Sequence, residues 1–276
     1  SEMCIRDRQS LRIDERRDGK MVVFLCGEQF DHILCAVYEA WDSGLGHKNV
    51  KLQFNTCGNL EMFCQYREVP LDEEKAKKVL RSVRSKISWQ AARAIYETAM
   101  SRDENRADWI YRFLVLGFHY GREALDMLQY EPAYRVFELS RAVRNEAHSY
   151  IEFLRFSRTA DGVFLSRIKP KNDILALIAP HFSDRLPGEH WVIYDVSRKR
   201  AAFHRADTPW FLMDVDGTDW EERLCRDTDE REYEGLWKAF FDSIAIEARI
   251  NPRCQRTHLP LRYREFMTEF REERQG

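Results

Sequence analysis

Apolar side chains recur along this chain with two different periods, one that suits strands and one that suits helices. Short apolar runs at Met21–Leu25 and Val50–Phe54 predict strands, and Glu61–Val69 predicts a third beyond the turn-prone Asn55–Asn59. Phe30–Trp41 places apolar residues three and four positions apart, which predicts an amphipathic helix. The first part of the patterned chain is therefore expected to be a small α+β unit.

A central helical region is predicted after Pro70. Asp72 is a good N-cap residue, and Glu73 and Glu74 supply negative charge to the first turn of the helix that it starts. The apolar period predicts further helices at Trp89–Met100, Asn105–Tyr120, Glu123–Gln129 and Pro132–Phe156.

From Arg155 onward, short strands alternate with helices. Asp161-Gly162 is a turn dipeptide that predicts a hairpin over Ser157–Lys169. A second hairpin is predicted for Trp191–Val196 with Ala201–His204, a short helix for Asp173–Phe182 with Asp173 as its cap, and a strand for Trp210–Val215. An amphipathic helix is predicted over Glu232–Arg249, and a loop with a final helix over Asn251–Phe270. The predicted fold class is α+β and helix-rich: a small N-terminal α+β unit, a central helical region and a C-terminal α+β domain with short antiparallel hairpins.

The chain is expected to divide into three segments. Residues 1–20 are expected to be a non-native scar or a disordered leader, because the run MCIRDR at Met3–Arg8 matches one reading frame of a widely used transposase adapter. Residues 21–130 are expected to form an N-terminal α+β and helical domain, and residues 131–276 a C-terminal α+β domain that faces DNA. The boundary between the two domains depends on the long helix predicted at Pro132–Phe156, which can belong to either domain.

Composition narrows the function classes. A chain of 276 residues with 44% hydrophobic and 13% aromatic residues can bury real cores, which excludes disorder as its main state. The net charge is −2, so attraction to DNA cannot come from the overall charge and must come from a local patch. No apolar run approaches the roughly 20 residues that cross a bilayer, and no secretion signal is apparent. A cytoplasmic protein without membrane contact is expected.

Six segments together resemble one bacterial family. They read CAVYEAW from Cys35, KVLRSVRSKIS from Lys78, ADWIYRFLVLGFHYG from Ala107, VRNEAHSYIEFLRFSR from Val143, IAPHFSDRLPGEHWVIYD from Ile178 and NPRCQRTHLPLRYREFMTEF from Asn251. That family is assigned to DNA metabolism or DNA repair and is usually encoded beside a radical-SAM protein of DNA modification or repair. The C-terminal portion is similar to a domain of unknown function that also occurs fused to uracil-DNA-glycosylase-like domains. The resemblance implies DNA as a ligand and a radical-SAM protein as a partner, and it brings no catalytic residues with it.

The cysteines do not fit the radical enzyme itself. A radical-SAM cluster needs three closely spaced thiolates, and the pair Cys57 and Cys64 has no third cysteine nearby. The seven cysteines are irregularly spaced, which predicts free buried thiols. Tight metal motifs and glycine-rich phosphate loops do not occur in the sequence either. No metal and no cofactor are expected.

The best nucleic-acid candidate is the basic segment Arg249–Arg264, which holds no acidic residue. Its candidate contacts are Arg249, Arg253, Gln255, Arg256, Arg262, Tyr263 and Arg264, and Arg155 and Arg185 are added to the same predicted surface. Guanidinium groups suit phosphate, Tyr263 can stack on a base, and Gln255 can bond a base edge. The competing interpretation pairs these arginines with acidic residues of Glu221–Glu234.

Two further basic stripes carry weaker signals. The first contains Arg135, Arg141, Arg144, Arg155 and Arg158, with Glu138, Glu146 and Glu152 interleaved, which is typical of a self-paired helix face. The second contains Lys75, Lys77, Lys78, Arg81, Arg84 and Lys86 and is a third candidate phosphate surface.

The candidate catalytic residues are His148, which lies four residues before Glu152, together with His181 and Asp195. A histidine–carboxylate pair can activate water for hydrolysis, although a histidine beside aromatic residues is more often structural. Three functions follow as hypotheses: a DNA-binding accessory protein for a radical-SAM partner, a glycosylase-like hydrolase, or a protein scaffold for the radical enzyme.

Overall fold

The computed structural model describes residues 21–56, 62–159, 162–215 and Tyr263. The chain separates into two compact units, divided between Arg144 and Asn145. Apart from Tyr263, the predicted helices at Glu232–Arg249 and within Asn251–Phe270 lie outside the described residues, as do residues 1–20.

The first unit contains a small parallel sheet. Its strands are β1 (Val22–Cys26), β2 (Val50–Phe54) and β3 (Gln65–Glu68), in the order β2-β1-β3. The structure confirms the predicted positions of β1 and β2, whereas β3 is shorter than the predicted strand Glu61–Val69. β2 and β3 do not pair with each other, since each pairs in parallel with β1. The helix α1 (Phe30–Asp42) connects β1 to β2, as a parallel pair requires.

Five helices surround or follow this sheet in the described chain. They are α1, α2 (Glu73–Lys86), α3 (Trp89–Ala99), α4 (Arg106–Tyr120) and α5 (Glu131–Phe153). Asp72 is the N-cap of α2, as predicted, and accepts hydrogen bonds from the backbone N–H groups of Glu74 and Lys75. Ser88 caps α3 in the same way by accepting from Ala91. The predicted helix at Glu123–Gln129 is replaced by a short 3-10 helix, Gly121–Leu125.

One apolar core unites the sheet and helices of the first unit. Ile33 and Leu34 of α1, Leu52 of β2, and Ile110 and Leu114 of α4 are all fully buried within it. Alternate residues of β2 are buried, which is the two-residue period of a strand with one covered face. The apolar positions that predicted these elements are therefore the ones that form the core.

The second unit contains a five-stranded sheet. Its strands are β4 (Ser157–Arg158), β5 (Phe164–Ile168), β6 (Trp191–Asp195), β7 (Arg200–His204) and β8 (Phe211–Asp214), in that spatial order. The pair β5–β6 is parallel and is connected through the helix α6 (Leu175–Arg185). The other pairs are antiparallel, which confirms the predicted hairpins β4–β5 and β6–β7.

The start of α6 differs from the sequence prediction. Asp173 does not cap the helix, because Ile174 occupies the N-cap position and makes no side-chain capping bond. Instead, a carboxylate oxygen of Asp173 lies 3.4 Å from Nη1 of Arg200 on β7. The Asp173 side chain, which local sequence favours as a helix cap, forms a tertiary ion pair with Arg200 instead.

The fold is therefore α+β, as predicted, with a parallel sheet in one unit and a mixed sheet with antiparallel hairpins in the other. Among the described residues, no helix combines the length and the apolar character that crossing a membrane requires.

Candidate nucleic-acid interface

The predicted arginine segment lies outside the described residues, apart from Tyr263. Arg249, Arg253, Gln255, Arg256, Arg262 and Arg264 therefore stay predictions. Tyr263 is buried, with its ring edge-on to Tyr150 at 4.9 Å between centroids and 6.1 Å from the ring of Phe153. A base that stacked on Tyr263 would have to displace these aromatic neighbours.

Arg155 and Arg185 both lie at helix C-termini. Arg155 follows α5 and donates to the carbonyl oxygens of Glu152 and Leu154, each at 3.4 Å. Cations in this position complement the carbonyl end of a helix. Arg185 is the last residue of α6 and is exposed, with no partner among the described residues. A DNA contact for either residue stays a prediction.

No hydrogen bond or ion pair joins the three candidate catalytic residues to one another within the described chain. His148 is exposed on α5, with its Nε2 3.2 Å from a carboxylate oxygen of Glu152. His181 packs edge-on against Phe182, and its buried Nε2 has no hydrogen-bond partner among the described residues. The hydrolase hypothesis for His148, His181 and Asp195 stays a prediction.

Asp195 lies at the end of β6 and is fully buried. Its carboxylate accepts from Nη1 of Arg198 at 2.9 Å and from the backbone N–H groups of Ser197 at 2.9 Å and Arg198 at 3.3 Å. Burial raises the pKa of the Asp195 carboxyl above its ordinary value, although the Arg198 guanidinium opposes this. Arg198 also donates to the carbonyl oxygens of Pro170 and Lys171. These contacts fix the β6–β7 turn against the loop that precedes α6.

The basic stripe of α5 is only partly self-paired. Arg135 fits the predicted pattern, since its guanidinium lies 3.0 Å from Glu138 and 4.0 Å from Glu131. Arg144 departs from it, because its partner is Glu97 on α3. Glu146 also departs from it, since it is buried and accepts hydrogen bonds from the loop before α6.

The second basic stripe, on α2, divides into paired and unpaired cations. Lys75 lies 2.5 Å from a carboxylate oxygen of Glu39, and this hydrogen bond raises the pKa of Lys75. Hydrogen bonds with Glu74 and Glu73 likewise raise the pKa of Lys77. Both lysines are therefore neutralised by neighbouring carboxylates.

Three cations of α2 are exposed without such partners. Lys78, Arg81 and Arg84 have no hydrogen-bond or ion-pair partner among the described residues. Their spacing of three residues places them on one side of the helix, opposite the buried Val79 and Val83. We call these three side chains the α2 stripe. It is a local patch of positive charge on a molecule whose overall charge is slightly negative.

A pocket of about 370 Å³ lies between α3, α4 and α5 in the same unit. Its lining consists of Trp89, Gln90, Arg93, Ala94, Phe113, Leu125, Asp126, Leu128, Ala133, Val136, Phe137, Ser140 and Arg144. Two large aromatic residues of this lining are exposed, Trp89 by 60% and Phe137 by 42%. We call this the α3–α5 pocket; its lining combines apolar side chains with a few polar ones.

A buried carboxylate holds the two arginines of the pocket together. Oε1 of Glu97 accepts from Nε of Arg93 at 2.8 Å, and Oε2 accepts from Nη2 of Arg144 at 2.8 Å. The Glu97 side chain is only 2% exposed, whereas Arg93 and Arg144 are 54% and 55% exposed. The carboxylate thus fixes the inner side of each guanidinium and leaves the outer nitrogens at the surface.

Sequence reasoning did not identify this pocket, although two local signals point to it. Phe137 and Arg144 are seven residues apart and so share one face of α5, and Arg93 and Glu97 are four apart on α3. Neither pattern shows that α3 and α5 pack side by side. The contact of Glu97 with Arg144 spans 47 residues, and only the tertiary structure reveals it.

Two of the three cysteines that the structure describes are the predicted buried thiols, whereas Cys64 is only half-buried. Cys26 and Cys35 are buried and make no disulfide. Burial raises the pKa of the Cys26 thiol to about 12, which makes it unreactive at neutral pH. In the described part of the chain, no cluster of three histidine, cysteine or acidic side chains is arranged to hold a metal ion.

Comparison with known proteins gives a family without an assigned activity. No curated protein matches the chain. The sequence profile of a domain of unknown function, DUF4130, matches residues 104–269. This range includes α4, α5 and the described part of the second unit, whereas α2 and α3 precede it. The match extends over more than half of the sequence, and the chain belongs to the DUF4130 family.

Proposed function

We propose that this protein is a cytosolic nucleic-acid-binding accessory protein that acts in DNA metabolism with a radical-SAM partner. The observation that carries the proposal is the α2 stripe, where Lys78, Arg81 and Arg84 are exposed without partners among the described residues. Guanidinium and ammonium groups bind phosphate oxygens through charge-assisted hydrogen bonds. Because the net charge is −2, such a local group of cations is what binding to a polyanion requires.

The α3–α5 pocket supports the same proposal. Trp89 begins α3 only three residues after Lys86, the last residue of α2. Exposed aromatic rings beside arginines are the side chains with which proteins bind single-stranded nucleic acid. The radical-SAM partner is supported by the sequence resemblance, which also implies DNA as the ligand.

The nucleic-acid part is tested by measuring the affinity of the full chain for single-stranded and duplex DNA at low salt. The double variant Arg81→Gln/Arg84→Gln removes two cations of the stripe and is expected to weaken binding by about tenfold or more. The matched control, Lys75→Gln/Lys77→Gln, changes the net charge equally at two lysines that already have carboxylate partners. It is expected to bind nearly as well as the unaltered protein.

An unaltered protein that binds neither form of DNA at low salt would overturn the proposal. Equal weakening by both double variants would also count against the stripe as the contact surface. The partner is tested separately, by co-purification of the full chain with a radical-SAM protein of the kind that the resemblance implies. Recovery of a stable complex supports the accessory role, and its absence overturns that part.

A further inference from the structure

We propose that the α3–α5 pocket binds a single unstacked nucleobase of a nucleic-acid strand, with the adjoining phosphate on Arg93 and Arg144. This inference rests on the proposed nucleic-acid binding and names the part of the strand that the pocket takes. The volume of about 370 Å³ lies in the lower part of the range for small-ligand sites, which suits one base and its sugar.

The walls of the pocket suit the faces of a base. Phe113, Ala133 and Val136 are buried residues of the lining and form an apolar floor. Trp89 and Phe137 also line the pocket, and both remain substantially exposed. An arginine guanidinium lies 6.0 Å from the centroid of each ring, that of Arg93 over Trp89 and that of Arg141 over Phe137, so a base would stack on the opposite face. Aromatic rings left open at a pocket bind bases by stacking, which tolerates any base because each has a flat π-face.

The polar groups of the lining suit the edge of a base. Gln90 offers both a donor and an acceptor, and Asp126 offers a carboxylate that accepts from an exocyclic amino group. The preferred bases are therefore those that carry an amino group, namely adenine, cytosine and guanine.

The arginines suit the phosphate. Glu97 engages Nε of Arg93 and both Nε and Nη2 of Arg144. The remaining guanidinium nitrogens have no hydrogen-bond or ion-pair partner among the described residues. Two guanidinium groups held in place by one buried carboxylate carry a net positive charge and need little ordering when a phosphate binds.

The α2 stripe and the pocket are close enough for one strand to reach both. Arg84 and Trp89 are five residues apart, so their Cα atoms are separated by at most about 18 Å. A strand that binds the stripe through its phosphates can therefore insert a base into the pocket.

The experiment compares two probes of equal length, a short oligodeoxyadenylate and the corresponding abasic strand. Phe137→Ala is expected to weaken binding of the oligodeoxyadenylate by about tenfold and to leave binding of the abasic strand unchanged. The control is Tyr134→Ala, which removes an aromatic side chain of similar exposure, 46%, from the same helix but outside the pocket lining. It is expected to change neither affinity. Trp89→Ala gives an independent test from α3 if Phe137→Ala does not fold.

The outcomes separate this inference from the proposed function. If oligodeoxyadenylate binds but Phe137→Ala and Trp89→Ala behave like Tyr134→Ala, the pocket is not a base site and the strand-binding proposal stands. If neither strand binds the unaltered protein, the strand-binding proposal fails. A third probe, free deoxyadenosine monophosphate, then decides the source of the base. If the unaltered protein binds deoxyadenosine monophosphate and Phe137→Ala does not, the pocket recognises the base of a free nucleotide. If the unaltered protein does not bind the nucleotide, base recognition by the pocket is overturned.

Discussion

At the scale of single residues, buried carboxylates organise the described loops of the second unit. Glu146 is buried on α5 and accepts from the backbone N–H groups of Lys171 and Asn172 at 3.0 and 2.9 Å. Its Oε2 also accepts from Nδ2 of Asn172 at 2.7 Å. Three donors on one buried carboxylate compensate for its lost hydration, and they hold the loop that leads into α6.

Replacing Glu146 by alanine should therefore destabilise the protein. The change leaves three partly buried donors without their acceptor, and the expected loss in free energy of unfolding is about 2 kcal/mol. Urea unfolding measures it. Glu138→Ala is the control, since Glu138 is an exposed glutamate of the same helix whose ion pair with Arg135 is at the surface. Equal unfolding midpoints for the two variants would contradict this role of Glu146.

Asp195 should give the stability of the protein a particular dependence on pH. Burial raises its pKa above the ordinary value of 3.8, so the folded protein holds this proton more tightly than the unfolded chain does. The stabilising contribution is fully present below about pH 3.8 and is lost as the pH rises through the folded pKa. Asp195→Asn cannot ionise and retains an oxygen that can accept from Ser197 and Arg198.

The measurement is urea unfolding of both proteins over a pH series. The free energy of unfolding of the unaltered protein, relative to Asp195→Asn, is expected to fall as the pH rises above about 3.8. A relative gain over that range would show that the ion pair with Arg198 outweighs the cost of burying the charge.

At the scale of the elements, Gly117 sets how closely α4 approaches the end of α2. A Cβ added to Gly117 would lie 2.6 Å from Cδ1 of Ile87, which is too close for unstrained packing. Alanine normally gains about 1 kcal/mol over glycine inside a helix, but here overpacking is expected to offset that gain.

A double-mutant cycle tests this contact. Ile87→Val removes the atom that the new Cβ would meet, at a cost of about 0.5–1.5 kcal/mol by itself. Gly117→Ala is expected to be more favourable in the Ile87→Val background than in the unaltered protein by about 1 kcal/mol. Chemical unfolding of the four proteins gives this coupling energy, and strictly additive effects would refute the proposed clash.

The same scale shows what the sequence predicts well. Asp72 was predicted as the cap of α2 and is one, because its side chain needs only the N–H groups two and three residues further on. Asp173 also precedes a predicted helix, but it does not cap α6. Its carboxylate instead accepts a hydrogen bond from Arg200, which is 27 residues away in sequence. A local pattern predicts a local bond only where no distant partner competes for it.

Pairing of strands and assembly of the pocket depend on distant contacts. The apolar period identified β2 and located β3, but it does not reveal that both strands pair with β1. In the same way, Trp89 and Phe137 were predicted to lie on helices, without any indication that they border one pocket. The basic residues of α2 were recognised as a group, and only the positions of Glu39, Glu73 and Glu74 show which of them are neutralised.

At the scale of the whole molecule, the overall charge and the local charge have opposite signs. With 44 basic and 46 acidic side chains, the protein as a whole does not attract a polyanion. Binding to DNA must then come from a few direct contacts. The number of those contacts determines how strongly salt weakens the complex, because each one releases counterions from the nucleic acid.

The salt dependence of binding should therefore be modest and should depend on the α2 stripe. For single-stranded DNA, three phosphate contacts from Lys78, Arg81 and Arg84 give an expected slope of log affinity against log salt of about −2. A fourth phosphate, bound jointly by Arg93 and Arg144, would steepen the slope to about −3. The variant Arg81→Gln/Arg84→Gln should make the slope shallower by about 1.4. Lys75→Gln/Lys77→Gln should leave it unchanged, although both pairs alter the net charge equally. Fluorescence anisotropy titrations over a salt series measure the slopes, and an equal loss in both double variants would show that the overall charge governs binding.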